Sequence, residues 1–160
     1  MSVAASSLTI KRARTAEEVA AVRGIFEDYL VFIENYLGQS LSFQGTKNEF
    51  ATFPDVYDAL FLAKLNGAAV AACGVKPFKA DICELKRLYC RPEGRGHQLG
   101  EKLTLMAIEF SKIQNYDHMY LDTDAGLTHA NSIYESLGFK DIDRYYGNPM
   151  GCSRYMALKL

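Results

Sequence analysis

Glu84-Leu85-Lys86-Arg87-Leu88-Tyr89-Cys90-Arg91-Pro92-Glu93-Gly94-Arg95-Gly96-His97-Gln98-Leu99-Gly100 is the stretch that decides the fold. It reads as a strand, a tight basic loop with three glycines, and the start of a helix. Leu99, Leu103, Met106, Ala107 and Phe110 carry that helix onward at helical spacing. The first turn of a helix leaves several N–H groups unpaired, and the helix dipole adds partial positive charge there. A phosphate or diphosphate suits such a place. Glycine lets the backbone approach an anion closely. Arg91 and Arg95 add charge where a diphosphate would lie. A plain strand-to-helix turn with solvated basic residues has the same composition. No G-x-x-x-x-G-K-[ST] occurs, so a P-loop NTPase is disfavoured. The glycines do not follow the first strand of a βα repeat, which disfavours a dinucleotide-binding fold.

Outward from this segment, Leu8 to Arg14 alternates as a first strand. Thr15-Ala16-Glu17-Glu18 forms a capping box, and a helix follows to Leu37, stopped by Gly38. A second capping box, Thr46 to Glu49, opens a short helix that ends near Pro54. Ala59 to Leu65 and Ala68 to Val75 are strands joined by the hairpin pair Asn66-Gly67. Lys79-Ala80-Asp81 turns the chain into a third strand, Ile82 to Arg91. Asp117 to Thr123 is a strand, and Thr128 to Leu137 a helix ended by Gly138. Phe139 to Tyr146 and Arg154 to Leu160 are closing strands around Gly147-Asn148-Pro149. The order is β-α-α-β-β-β-α-β-α-β-β. A meander followed by a β-α-β unit predicts a mixed α/β fold with helices on both sheet faces.

Length suits one domain over 1–160, with 1–7 expected to be flexible. Hydrophobic content of 49% and charged content of 23% are those of a globular chain. A net charge of -1 leaves no general surface for nucleic acid, so an anion site must be local. No apolar run approaches the ~20 residues of a membrane span. Cys73, Cys83, Cys90 and Cys152 have no C-x-x-C spacing, and the three histidines add no ligand pattern. Buried free thiols in a reducing, cytoplasmic setting are expected, with no metal.

The loop resembles motif A of the GCN5-related N-acetyltransferases, R/Q-x-x-G-x-G/A after a strand of the form x-L-x-V-x-P. Leu88-Tyr89-Cys90-Arg91-Pro92 and Arg95-Gly96-His97-Gln98-Leu99-Gly100 carry the likeness. Ala130-Asn131-Ser132-Ile133-Tyr134-Glu135-Ser136-Leu137-Gly138-Phe139 resembles the family's A-x-x-L-Y-x-x-x-G-F motif. Gln98 stands where the family usually has glycine, and Leu127 where it often has asparagine. The resemblance implies a mostly antiparallel sheet of about seven strands with about four helices. It also implies acetyl-CoA as acyl donor and a primary amine as acceptor, on a small molecule or amino acid. A peptide or protein acceptor, or an acyl-CoA sensor without turnover, are the alternatives, and a homodimer is compatible.

By the same resemblance, Leu88, Tyr89 and Cys90 line the pantetheine arm, and Arg95, Gly96, His97, Gln98, Leu99, Gly100 and Glu101 hold the pyrophosphate, with Asn131 as a further contact. Tyr134 matches the tyrosine near the cofactor sulfur. Glu84 is the candidate base. Regular alternation puts Ile82, Glu84, Lys86, Leu88 and Cys90 on one face, in line with the cofactor contacts. A salt bridge from Glu84 to Lys86 is the competing role. Tyr29, Phe32, Tyr145 and Tyr146 are candidates for the acceptor pocket, and Asp122 and Asp124 for attracting a cationic amine.

Overall fold

The computed structural model describes residues 7–38, 40, 46–147 and 153–160. Among these residues, seven strands form one sheet in the order β1-β2-β3-β4-β5-β7-β6. They are β1 (Leu8–Arg12), β2 (Ala59–Leu65), β3 (Ala68–Lys79), β4 (Ile82–Cys90), β5 (His118–Asp124), β6 (Lys140–Asp141) and β7 (Ser153–Lys159). The helices are α1 (Ala16–Leu37), α2 (Thr46–Ala51), α3 (Leu99–Ile113) and α4 (Thr128–Ser136). Every neighbouring pair is antiparallel except β4 with β5. The expected mixed fold and element order are those observed.

Local signals explain the framework. The Thr15 side chain accepts from the Glu18 N–H, and the Glu18 carboxylate accepts from the Thr15 N–H in return. Gly38 ends α1 with φ 67, a conformation glycine takes at little cost. Asn66 and Gly67 both take positive φ, as a two-residue hairpin turn requires. Alternation then divides the sheet's side chains between two cores. On one face, Ala71, Cys73, Val75, Cys83, Leu85, Met119 and Leu121 pack with Leu99, Leu103 and Ala107 of α3. On the other, Leu60, Leu62 and Ala72 meet Val22, Ile25 and Phe26 of α1.

Three expectations need correction. The strand expected over 139–146 is only Lys140–Asp141. Beyond it the Tyr145 and Tyr146 hydroxyls donate to Glu84 and Asp122. Two successive side chains turned to one cluster are incompatible with strand alternation. Thr46 lies inside α2 rather than capping it, and the Glu49 carboxylate is engaged by Arg87 and Tyr57. Finally, β4 does not alternate regularly. Tyr89 pairs with Ala72 but Lys86 with Gly74, so β4 carries one extra residue there. Arg87, at φ 59, makes this bulge. Cys83, Leu85, Leu88 and Cys90 therefore share the α3 face. Glu84, Lys86 and Tyr89 face the α1 side, so Glu84 is not on the face of Leu88 and Cys90. Residues 1–6 and the turn at 148–149 lie outside the described residues.

Candidate active site

The parallel pairing of β4 and β5 covers only Ile82–His118, Cys83–Met119 and Glu84–Tyr120. β5 stays paired with β7 as far as Asp124. The two central strands thus part after Glu84, and the β5-facing edge of β4 is left without a strand partner. A cleft of ≈ 740 Å³ occupies the fork. Leu88, Tyr89 and Cys90 form one wall, and Leu127, Ala130 and Ile133 the other. Gly94, Arg95, Gly96, Gln98, Leu99, Gly100 and Glu101 close its end, while Tyr29 and Phe32 of α1 lie across it.

The start of α3 leaves its backbone donors open. Gln98 is its N-cap residue, at φ 57, and makes no side-chain cap. Lys102 N–H is the first to bond back, to the Gln98 carbonyl at 3.1 Å. Among the described residues, the N–H groups of Gln98, Leu99, Gly100 and Glu101 therefore have no acceptor. They open onto the cleft beside the exposed Arg95. A bound diphosphate would satisfy these donors, so the residues present fit such a group. Gly100 also keeps α3 close to α4, since a Cβ there would stand 3.1 Å from Ile133 Cδ1.

Other predicted contacts fall elsewhere. Arg91 turns to α1, where its Nε donates to Asp28 at 2.6 Å and its Nη1 to the Ala69 carbonyl at 3.1 Å. His97 Nδ1 lies 3.2 Å from the Gly94 carbonyl oxygen, a contact that steadies the loop rather than lining the cleft. Asn131 is buried, accepting from Thr123 Oγ1 at 3.0 Å and donating to the Asp124 carbonyl at 3.0 Å. Its amide ties the end of β5 to α4. Tyr134 stands behind the lining, edge-on to Phe139. Burial, then the neighbouring Tyr29 phenol, pushes its hydroxyl well above the ordinary tyrosine range.

The α1 side of the fork carries the titratable groups. Glu84 is 6% exposed. Its Oε2 accepts from the Tyr145 hydroxyl at 2.8 Å and lies 3.5 Å from Lys86 Nζ. Lys86 Nζ is also 3.4 Å from Asp122 Oδ1, and Asp122 Oδ2 accepts from the Tyr146 hydroxyl at 2.7 Å. Burial and then the Glu84 carboxylate push the Tyr145 phenol far up, so it stays a hydrogen-bond donor. Tyr145 packs on Tyr120, Tyr146 and Tyr155 at ring-centroid distances of 5.0, 5.4 and 5.5 Å. Lys86 thus bridges two carboxylates inside an aromatic box. Sequence reasoning named the Glu84–Lys86 salt bridge as the competing role of Glu84, and that contact is observed; it reached Asp122, Tyr145 and Tyr146 only singly and missed the second half of the bridge. Their pairing depends on the β4–β5 register and on the irregular segment after β6.

A second buried group lies beside it. Arg87 Nη2 donates to Glu49 Oε2 at 2.9 Å, and the Tyr57 hydroxyl donates to Glu49 Oε1. No feature of α2 or β4 taken alone announced this pair. Among the described residues, no group of three His, Cys, Asp or Glu side chains is arranged to hold a metal ion.

The family model described as the Acetyltransferase (GNAT) family matches residues 19–139. An uncharacterised N-acetyltransferase of Schizosaccharomyces pombe is 35% identical over 143 residues, covering 84% of this chain and 88% of that one. The uncharacterised N-acetyltransferase YjgM of Escherichia coli is 30% identical over 138 residues, covering 84% of this chain and 78% of its own. The crystal structure of an acetyltransferase from Streptococcus agalactiae superposes with a TM-score of 0.76 at 20% identity. It covers 96% of this chain and 98% of that one. By class the protein is an N-acyltransferase. The chain belongs to the GNAT acetyltransferase family.

Proposed function

We propose that the enzyme moves an acetyl group from acetyl-CoA to the primary amine of a small molecule or amino acid. One observation carries this reading: the uncapped start of α3 opens onto the same cleft as the unpaired edge of β4. The N–H groups of Gln98 to Glu101, with Arg95, hold the diphosphate. The backbone of Leu88 and Cys90 holds the pantetheine arm as an added strand would. Bound there, acetyl-CoA supplies a thioester carbonyl open to attack by a neutral amine. The Leu88 N–H polarises that carbonyl oxygen, the role of an oxyanion donor.

A free amine of pKa about 10.4 is protonated at neutral pH and must lose a proton before attack. Glu84 accepts it, directly or through water. Its carboxylate lies on the α1 side of β4, opposite the side chains of Leu88 and Cys90, so donor and acceptor approach the fork from different faces. Asp122 shares Lys86 with it, and the pair of carboxylates favours a cationic acceptor entering. Tyr29 and Phe32 wall the acceptor's path, and Tyr145 and Tyr146 surround the carboxylates. Tyr134 serves the leaving thiolate as a hydrogen-bond donor. Its raised phenol makes complete proton transfer to a thiolate, whose acid has pKa about 8.5, unfavourable. The setting is cytoplasmic, which the free thiols Cys73, Cys83 and Cys90 support. No helix among the described residues is long and apolar enough to cross a membrane.

Thermal unfolding with acetyl-CoA tests the donor. At a hundredfold excess over Kd, binding to the native state alone adds about 2.7 kcal/mol, roughly 5–10 °C for a chain of this size. Release of free thiol with a panel of amines then tests transfer. No thermal shift would overturn the donor assignment, and a shift without thiol release from any amine would favour a sensor.

A further inference from the structure

We propose that the buried Arg87–Glu49 ion pair is a positioning device: it holds the β4 bulge in the one backbone geometry that keeps the Leu88 amide outside both strand ladders and beside the cleft. The inference rests on the proposed mechanism, in which that amide polarises the acyl carbonyl. Arg87 is a bulky residue at φ 59 in the middle of a strand. Such a conformation persists only where its surroundings over-determine it. Relaxed to regular alternation, Arg87 would join Cys83 and Leu85 on the apolar α3 face. Leu88 and Cys90 would swing away from it.

Three elements converge on the guanidinium to prevent this. Its side chain is 4% exposed and that of Glu49 9%. Glu49 comes from α2 and is held in turn by the Tyr57 hydroxyl. The Tyr57 ring lies against Gly74, the β3 partner of Lys86 and so the residue facing the bulge's edge. From α1, the Tyr29 ring sits 5.9 Å from the guanidinium carbon and also lines the cleft. A buried ion pair is a poor way to gain stability compared with apolar packing, whereas it selects one local geometry well. Neither group lines the cleft, so the pair acts through the backbone it fixes.

The test uses the full chain with Glu49→Gln, Glu49→Asp and Arg87→Gly. Glu49→Gln should lower kcat by roughly tenfold to a hundredfold, the scale of a small misplacement of a catalytic group. The KM for acetyl-CoA should stay within about threefold. The limbs of the pH–rate profile should not move, and Glu49→Asp should recover part of kcat. Arg87→Gly accepts positive φ without enforcing it and should lose kcat likewise; it stands in if Glu49→Gln does not fold. Crystal structures of the variants should show residue 87 leaving, or spread around, the left-handed region. Unchanged kcat, a displaced pH limb, or residue 87 fixed at positive φ while kcat falls would each overturn the proposal. If the wild type binds acetyl-CoA but turns over no amine, the transfer reading fails and the sensor reading is favoured. The backbone angle of residue 87 in Glu49→Gln then decides this inference alone.

Discussion

Gly74→Ala should destabilise the protein although the position has ordinary strand geometry. A Cβ on Gly74 would lie 2.7 Å from Cδ1 and Cε1 of Tyr57 and 3.3 Å from Leu60 Cδ2. The nearer atoms belong to a ring packed on Phe26 and Phe53, at centroid distances of 5.6 and 5.8 Å, so it cannot swing aside freely. Overpacking of this kind costs about 1–3 kcal/mol. Displacing the ring also weakens the phenol's bond to the Glu49 carboxylate, and a hydrogen bond to a charged group contributes about 1.5–3 kcal/mol when lost outright. Relief of glycine's flexibility returns about 0.5–1 kcal/mol. The net loss is about 2–3 kcal/mol, or roughly 5–10 °C in Tm. Urea unfolding and calorimetry measure both. The same substitution made on a Tyr57→Ala background should reverse sign and stabilise slightly, because its main obstacle has gone. A Tm within a degree of wild type, or an equal loss on both backgrounds, would refute the packing account.

Glu84→Gln keeps an acceptor for the Tyr145 hydroxyl but not a base, so kcat should fall about a hundredfold or more. An unchanged kcat would remove Glu84 from proton transfer. Gln98→Gly relieves a left-handed strain of about 1–2 kcal/mol and adds about 0.5–1 kcal/mol of chain flexibility. Tm should therefore rise by only a few degrees and the acetyl-CoA Kd stay within about threefold. A tenfold weaker Kd would mean that the Gln98 side chain itself grips the donor. For Glu18, the Lys11 ammonium first and then the Thr15 N–H lower the carboxyl to about 2. A depressed carboxyl stabilises the fold above its unfolded range and loses that contribution as pH falls toward 2. The Tm gap between wild type and Glu18→Gln should thus be full at neutral pH and close on acidification; a gap that widened in acid would contradict this.

Much of the fold was legible because the signals were local. Thr15 to Glu18, Asn66-Gly67 and Gly38 each set a boundary through their own backbone chemistry, and all three hold. The end of the cleft at the start of α3 was legible for the same reason: Gly96, Gln98 and Gly100 sit where a helix leaves its first donors unpaired by rule. What failed was alternation carried too far along β4. The apolar spacing Cys83, Leu85, Leu88, Cys90 steps by two, three and two, and the polar pair Lys86-Arg87 fills the longer step. That break was the available signal for the bulge. Other features had no local signal. Tyr145 and Tyr146 leave the strand for partners far away in sequence, and Glu49 left its capping role for Arg87.

The bulge also gives β4 two opposite environments a few residues apart, which the proposed mechanism uses for the two halves of the reaction. Before it, β4 is held between β3 and β5, and the Glu84 carboxylate is fixed in a polar box of Lys86, Asp122 and tyrosines. After it, the same strand turns Leu88 and Cys90 to the apolar α3 side and leaves its β5-facing edge unpaired. A regular strand would have to place Glu84, Leu88 and Cys90 on one face, with the base crowded against the donor's arm. One inserted residue inverts the face without breaking the strand. On the proposed mechanism, base and acyl carrier thereby meet across the sheet, and amine and thioester enter from opposite sides. Deleting Arg87 would keep Leu88 and Cys90 on the α3 side by plain alternation and leave the start of α3 in place. It would remove the bulge that sets the Leu88 amide beside the cleft, so on the proposed mechanism donor binding should survive while turnover is lost.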